Sequence, residues 1–345
     1  MGWILIAGTF AAAGPIRAAE GQKPQAPPGI FSLYIENDLP AGTDRDYTNG
    51  FEALWVSPEL GEGEGRLRAP GWIDFLSRLT FIKSPDAERF FSLSLGQAMY
   101  TPEDLSRPVP DPTDRPYAGF LYAGLAVHSM DAGSLDTTGI DLGVVGPLSL
   151  AGAIQRLWHH TFGWPPPRGW AYQLKNEPVL ALTYDHEQKI LFPRAEEGFG
   201  RDAVVHVGAS LSNAFTGALA GLEFRFGWNL PGDFGSTPMR LGSDRAPLLD
   251  ERGLRRPEKR PFGFHFFLAL DGKAVVRDIF LDGNTFGDGP RVDKKPLVGQ
   301  AMAGIALHFG RLKFSFGYVF LSKEFTTQRG TQTYGSLNLA FTPGG

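Results

Sequence analysis

The stretch from 311 to 320, RLKFSFGYVF, decides how the rest of the chain is read. Successive side chains of an extended strand point to opposite faces, so alternate residues share one surface. Leu312, Phe314, Phe316, Tyr318 and Phe320 then form one uninterrupted apolar face, while Arg311, Lys313, Ser315 and Gly317 form the other. The same period recurs at 220–228, where Ala220, Leu222, Phe224, Phe226 and Trp228 oppose Gly221, Glu223, Arg225 and Gly227. It recurs again at 262–270, at 334–341, and at 91–99 with Phe91, Leu93, Leu95 and Met99 opposite Ser92, Ser94 and Gly96.

Strands of about nine to eleven residues, aromatic on one face and small or charged on the other, suit a membrane barrel with lipid outside and a polar interior. A soluble sandwich gives the same alternation with the opposite sense, its apolar faces pointing inward. Two features favour the barrel. Aromatic residues gather near strand ends, and Phe341 lies close to the chain end, as in outer-membrane barrels, although Thr342, Pro343, Gly344 and Gly345 follow it. The fold expected is therefore all-β, a transmembrane antiparallel β-barrel. Strands are expected near 29–36, 48–57, 89–100, 117–129, 137–146, 176–187, 202–213, 217–228, 262–271, 273–282, 297–309, 310–321 and 332–342. These are thirteen, whereas single-chain bacterial barrels have an even number, and the surplus is expected between 170 and 215.

Composition narrows the functional classes. The 345 residues include 44 Gly and 27 Phe but no Cys, which excludes disulfides and any thiolate-ligated metal. A net charge of −4 argues against a nucleic-acid partner, whose binding rests on clustered cations. Residues 3–14, WILIAGTFAAAG, followed by small residues to Ala18 and Ala19 and then the polar EGQKPQAPPG, are read as a signal peptide over 1–19. Residues 20–345 are then one outer-membrane β-barrel domain. Elsewhere no run of eighteen apolar residues could form a membrane helix.

If the chain enters the barrel from the periplasm, its odd-numbered connections lie outside the cell. The first holds Asn37 and Asp38, and Thr48 opens the strand beyond it. The third holds the one helix expected, 150–162, with Gly152, Gln155 and His159 on one stripe at four-residue spacing. Prolines 165–167 are expected to stop it. Taken singly, Asn37 and Asp38 read as turn formers, His159 as a surface histidine and Thr48 as an ordinary strand residue. No Gly-x-Ser-x-Gly elbow, Walker loop or His-Glu-x-x-His motif occurs. A His with an Asp and side-chain amides, and no activated Ser or Cys, points to a base acting on water. An Asp beside amide and backbone oxygens favours a hard cation such as calcium.

The ordered motifs resemble the outer-membrane lipid A 3′-O-deacylases of the LpxR type over nearly the whole mature chain. They are Glu36-Asn37-Asp38, Tyr47-Thr48-Asn49-Gly50, Gly96-Gln97, Tyr100-Thr101-Pro102 and Asp114-Arg115-Pro116-Tyr117-Ala118-Gly119. Further along come Gln155-x-x-x-His159, Gly169-Trp170, Gln173, Asn176-Glu177-Pro178, Leu281-Asp282-Gly283-Asn284 and Glu324-Phe325. The resemblance implies twelve strands and a calcium-dependent site between barrel and extracellular helix, near the outer leaflet. It implies His159 as general base with Gln155 beside it, Asn37 and Asp38 as the pair that binds calcium and orients the oxyanion, and Thr48 as a further pocket residue. The substrate implied is the ester-linked 3′-acyloxyacyl chain of lipid A in lipopolysaccharide. Two departures stand out. The stretch after Gln97 has no Lys, leaving Arg115 as the candidate cation, and the turn after His159 reads Trp164-Pro165-Pro166-Pro167, leaving Glu177 as a candidate acidic partner or as a strand anchor. The rival readings are a non-enzymatic barrel, structural or adhesive, and an outer-membrane phospholipase.

Overall fold

Each alternating segment finds a hydrogen-bonding neighbour on both sides. The strands are β1 (Ile30–Asn37), β2 (Asp46–Val56), β3 (Glu88–Thr101), β4 (Ala118–Met130), β5 (Ser134–Val145), β6 (Glu177–Leu191), β7 (Phe199–Ser212), β8 (Phe215–Trp228), β9 (Gly263–Asp278), β10 (Leu297–Phe309), β11 (Leu312–Leu321) and β12 (Gln332–Phe341). Consecutive strands pair antiparallel, and β1 meets β12 in the register Phe31↔Phe341 to Asn37↔Gly335, which closes the barrel. Closure leaves no strand edge exposed. The computed structural model describes residues 29–42, 44–62, 66–68, 70–77, 87–191, 198–236 and 262–343. The signal peptide expected at 1–19 lies outside them.

The sense of the alternation excludes a soluble sandwich. On β11, Leu312, Phe314, Tyr318 and Phe320 are exposed while Lys313, Ser315 and Gly317 are buried. On β8, Leu222, Phe224, Phe226 and Trp228 face out while Glu223 and Arg225 are buried inside. The lumen carries polar pairs, among them His206 with Asp271 at 2.6 Å and the Tyr122 hydroxyl donating to Glu52 at 2.7 Å.

Twelve strands replace the thirteen read from the sequence, and the surplus lies at 262–282 rather than at 170–215. Asp271 and Gly272 form no break: β9 runs through them for sixteen residues, with Asp271 kept inside by His206 and by Gln300 at 3.3 Å. The last part of the supposed second strand is a single helical turn, α3 (Ile279–Asp282), capped by Asp278, whose side chain accepts from the Phe280 amide.

Two more helices sit against the wall. The rim bearing the β1–β2, β3–β4 and β5–β6 connections is called upper here, and the rim bearing the termini lower. Helix α1 (Gly71–Ser77), too short to show a helical period in the sequence, lies in the β2–β3 connection at the lower rim, where Ile73 packs with Phe91 and Val127. Helix α2 (Ala151–Phe162) occupies the β5–β6 connection at the upper rim. It packs on the outer surface of β3 and β4: Met99 clusters with Ala151, Tyr117 and Trp170, and the Gln97 amide donates to the Ser149 carbonyl at 2.6 Å. Gly119 of β4 makes this approach possible, because a Cβ there would lie 2.2 Å from Ser149 Oγ and 2.3 Å from the Ala151 methyl. The helix ends at Gly163, whose left-handed conformation (φ 71°) turns the chain before the prolines are reached.

Residues 230–236 fold from the β8–β9 connection into the lower part of the lumen. Phe234 packs among Ile30, Tyr34, Leu54, Phe90 and Met130, while Asp233 is 1% exposed and pairs with Arg225 and Lys313. Arg225 also grips Asp202 through two hydrogen bonds of 2.7 Å, so Glu223 and Arg225, placed on one face by spacing alone, anchor an internal plug.

Candidate active site

The β1–β2 connection leaves the barrel through a tightly bonded turn. Asn37 ends β1; its amide nitrogen donates to the Thr48 carbonyl at 3.0 Å and its amide oxygen accepts from the Leu39 N–H at 2.7 Å. Asp38, 1% exposed, accepts from the Arg45 N–H at 2.6 Å, and its own N–H donates to the Thr48 carbonyl at 3.3 Å. Thr48 lies where the β2–β3 register slips between Tyr47 and Asn49, and its hydroxyl pairs with that of Thr101 at 2.6 Å. Such an irregularity re-aims a strand locally, and here it directs one carbonyl at both members of the Asn37–Asp38 pair.

On α2, the four-residue spacing does place Gln155 and His159 on one stripe, together with Ala151 and Gly152, and all four are buried. The stripe faces the β1–β2 loop and Trp170. The Trp170 indole donates to Gln155 Oε1 at 2.6 Å, the Gln155 amide donates to Asp44 Oδ1 at 3.2 Å, and Asp44 Oδ2 stands 3.0 Å from His159 Nε2. The other ring nitrogen, Nδ1, lies 2.5 Å from the Pro165 carbonyl. A carbonyl oxygen only accepts, so this contact fixes the proton on Nδ1 and makes Nε2 the nitrogen that can exchange a proton with a reactant. Burial, the largest influence on Asp44, raises its carboxyl above the ordinary value, while His159 and Gln155 act in the opposite direction.

All five residues singled out in the sequence thus converge on one loop, in two groups. Asn37, Asp38 and Thr48 form one; His159 and Gln155 form the other with Asp44. The loop from 38 to 45 joins them, since the Arg45 amide that holds Asp38 follows directly on Asp44. Asp44, Trp170 as an indole donor and the Pro165 carbonyl were missed as partners. Asp44 is one of several acidic residues in a turn-forming stretch, and nothing local distinguishes it.

Two candidate residues have other partners. Arg115, fully buried, pairs with Glu324 at 3.0 Å and Asp46 at 3.6 Å and lies 4.7 Å over the Tyr100 ring. Glu177 accepts from the Asn213 amide at 2.9 Å and the Thr285 N–H at 2.7 Å, so it anchors β6 to neighbouring connections. Asp44 takes the place at His159 that Glu177 was considered for.

Among the described residues no three His, Asp or Glu side chains converge as a ready metal site. The donors on the loop are nevertheless all hard oxygens: the Asn37 amide, and the Asp38 and Asp44 carboxylates. That chemistry fits calcium, which takes six to eight oxygens and completes its shell with water or substrate.

The sequence matches the family described as outer membrane protein LpxR over residues 4–342. LpxR from Salmonella typhimurium has the same fold, with a TM-score of 0.71 at 19% identity, covering 91% of this chain and 100% of that one. The β-domain of the Bordetella autotransporter BrkA aligns at a TM-score of 0.42 and 9% identity, over 91% of this chain and 98% of that one. No curated protein matches the sequence.

Proposed function

From the membership of this chain in the LpxR family of outer-membrane proteins, we propose that it is a lipid A deacylase, hydrolysing the ester-linked 3′-acyloxyacyl chain with His159 as the base. The observation that carries the reading is the environment of His159. The ring is buried, pinned through Nδ1 to a carbonyl, and opposed at Nε2 by a carboxylate that Gln155 and Trp170 hold in place.

The residues assign the steps. Nε2 of neutral His159 takes a proton from water, and the hydroxide so formed attacks the ester carbonyl carbon. The imidazolium then donates to Asp44 Oδ2, which stabilises the charge that develops on the ring. Collapse of the tetrahedral intermediate breaks the bond to the sugar oxygen, which recovers the proton from His159 and leaves as the lipid A hydroxyl, releasing the acyl chain as a carboxylic acid. Gln155 and Trp170 are positioning residues that hold Asp44. Thr48 positions Asn37 and Asp38 through its carbonyl. Asn37 and Asp38, with Asp44 on the same loop, would hold calcium, whose charge, when the ion is bound, stabilises an oxyanion. A site on the outer wall at the upper rim suits a lipid substrate, since the acyl chain stays in the leaflet while the sugar stays hydrated; the upper rim is then the extracellular one.

Mass spectrometry of lipid A and phospholipids, from cells carrying the wild-type chain or His159→Ala, tests this reading. Loss of one acyloxyacyl unit only with the wild-type chain is the expected result. Lysophospholipid in its place makes the protein a phospholipase, and unchanged lipids in both strains make it a non-enzymatic barrel.

A further inference from the structure

The two helices on the outer wall leave little bare strand between them. On β3 the outward positions are Phe91, Leu93, Leu95, Gln97 and Met99; α1 covers Phe91, and the α2 segment covers Gln97 and Met99. From Phe91 to Gln97 is about 20 Å along the strand at ~3.4 Å per residue, or about 16 Å along the membrane normal at a strand tilt of ~40°. The apolar band of a barrel of this class is about 25 Å tall. The outer faces of the helices therefore complete the band on this side.

Those faces have the composition the position requires. At 100° per residue, Leu157, Thr161, Ile154 and Trp158 follow one another around α2 up to the edge of its buried stripe, Phe162 of the last turn lies in line with that stripe but is exposed, and Arg156 and His160 lie on the other side. Trp158 is 44% exposed and Phe162 41% exposed, although both are large apolar rings. They stack at 5.3 Å, Phe162 stacks on Trp164 at 5.2 Å, and Trp164 meets the His159 ring edge-on at 5.6 Å. At the other rim, α1 also exposes Trp72 and Phe75, so aromatic belts mark both boundaries of the same wall.

We propose that Trp158, Phe162 and Trp164 form an aromatic ladder lying in the boundary of the outer leaflet, and that it takes the hydrocarbon chain of the lipid substrate and guides it to His159. The occupant is lipid because the ladder continues the lipid-facing wall of the barrel and carries no charge of its own. The second half of the proposal rests on the reading of His159 as the base.

The full-length protein, with the other outer-wall tryptophans Trp55, Trp72 and Trp228 replaced by Phe, is reconstituted in vesicles of phosphatidylcholine brominated along its acyl chains, and tryptophan fluorescence is compared between this background and the same chain carrying Trp158→Phe and Trp164→Phe, the double variant. Bromine quenching should be strong with the ladder intact and markedly smaller in the double variant; equal quenching in the two overturns the proposal. A ladder shielded from bromine by a second copy of the chain, seen as a dimer in detergent, overturns it as well. Quenching is read without turnover, so its loss in the double variant supports the ladder's place in the leaflet even in a protein that hydrolyses nothing, a result that counts against the deacylase reading alone. For the chain-guiding role, Phe162→Ser should lower the ratio of kcat/KM for a long-chain ester over a water-soluble short-chain ester by about ten-fold. An unchanged ratio refutes that role.

Discussion

Replacing Gly119 by Ala adds one methyl group to the outer wall of β4, 2.2 Å from Ser149 Oγ and 2.3 Å from the Ala151 methyl. Apolar atoms rest at about 3.5–4.0 Å, so the first turn of α2 must withdraw by roughly 1.2–1.7 Å. Ser149 has little freedom to give way, because its hydroxyl donates to the Gly146 carbonyl at 2.6 Å. His159 lies eight residues along the helix, about 12 Å, and α2 is short and capped, so the displacement reaches the ring nearly undiminished. The contact of 3.0 Å between Nε2 and Asp44 cannot survive a shift of that size. A misplacement of about 1 Å costs on the order of 10²-fold in rate, or about 2.7 kcal/mol of barrier. The strand itself is not strained, since the methyl points out of the barrel. Gly119→Ala should therefore fold to a barrel that still shows a heat-dependent gel shift, with kcat/KM on lipid A in mixed micelles about 10²-fold below wild type. Adding Ala151→Gly removes one of the two contacts and should recover part of the loss. A folded Gly119→Ala protein within three-fold of wild type would refute either the seating of α2 on the wall or the role of His159.

Four further outcomes follow from the same structure. Asp44→Ala removes a charge-assisted hydrogen bond, worth about 1.5–3 kcal/mol, and should slow hydrolysis by about 10- to 100-fold in steady-state assays without altering the far-ultraviolet circular dichroism. Because burial raises the Asp44 carboxyl, its hold on the His159 imidazolium is lost as pH falls through a value above that of an exposed Asp; Asp44→Asn should remove this component from the acid limb of the pH–rate profile, and an identical limb would argue against it. Excess chelator should stop turnover reversibly, with calcium restoring it, whereas full activity in chelator would mean that amide donors alone hold the oxyanion. Arg225→Leu leaves Asp202 without its bidentate partner and takes one cation from Asp233, which keeps Lys313, and should lower stability by about 3–5 kcal/mol; an unchanged urea midpoint in detergent would count against the plug as a structural element.

The barrel was legible because its signal is local. Phe314 and Phe316 lie two residues apart and share a face wherever the strand happens to be, and Glu223 and Arg225 share the opposite face for the same reason. The count failed at Asp271 and Gly272, where residues that commonly break strands are held in one by His206 and Gln300, whose positions no reading of 262–282 contains. Helix α1 escaped notice for a related reason: seven residues that pack through Ile73 and Leu76 carry too short a period to register. The candidate site divides along the same line. Gln155 and His159 were found through their spacing within one helix, and Asn37, Asp38 and Thr48 through motifs at strand ends.

What the sequence determined by itself is therefore the set of faces: which residues of each strand share a side, which side of α2 carries the amide and the imidazole, and which chemistry is excluded by the absence of Cys. What only the tertiary structure decided is which faces meet. The partnership of Asp44 with His159 joins residues far apart in the chain, Trp170 is fixed by the amide it donates to, and Arg115 is withdrawn into an ion pair with Glu324 more than two hundred residues away. Alternation and helical period are properties of a few neighbouring backbone units, so they survive in any environment. A contact across the rim depends on closure of the barrel, which sets where the rim runs, and on one glycine in its outer wall, which sets how near the helix can come.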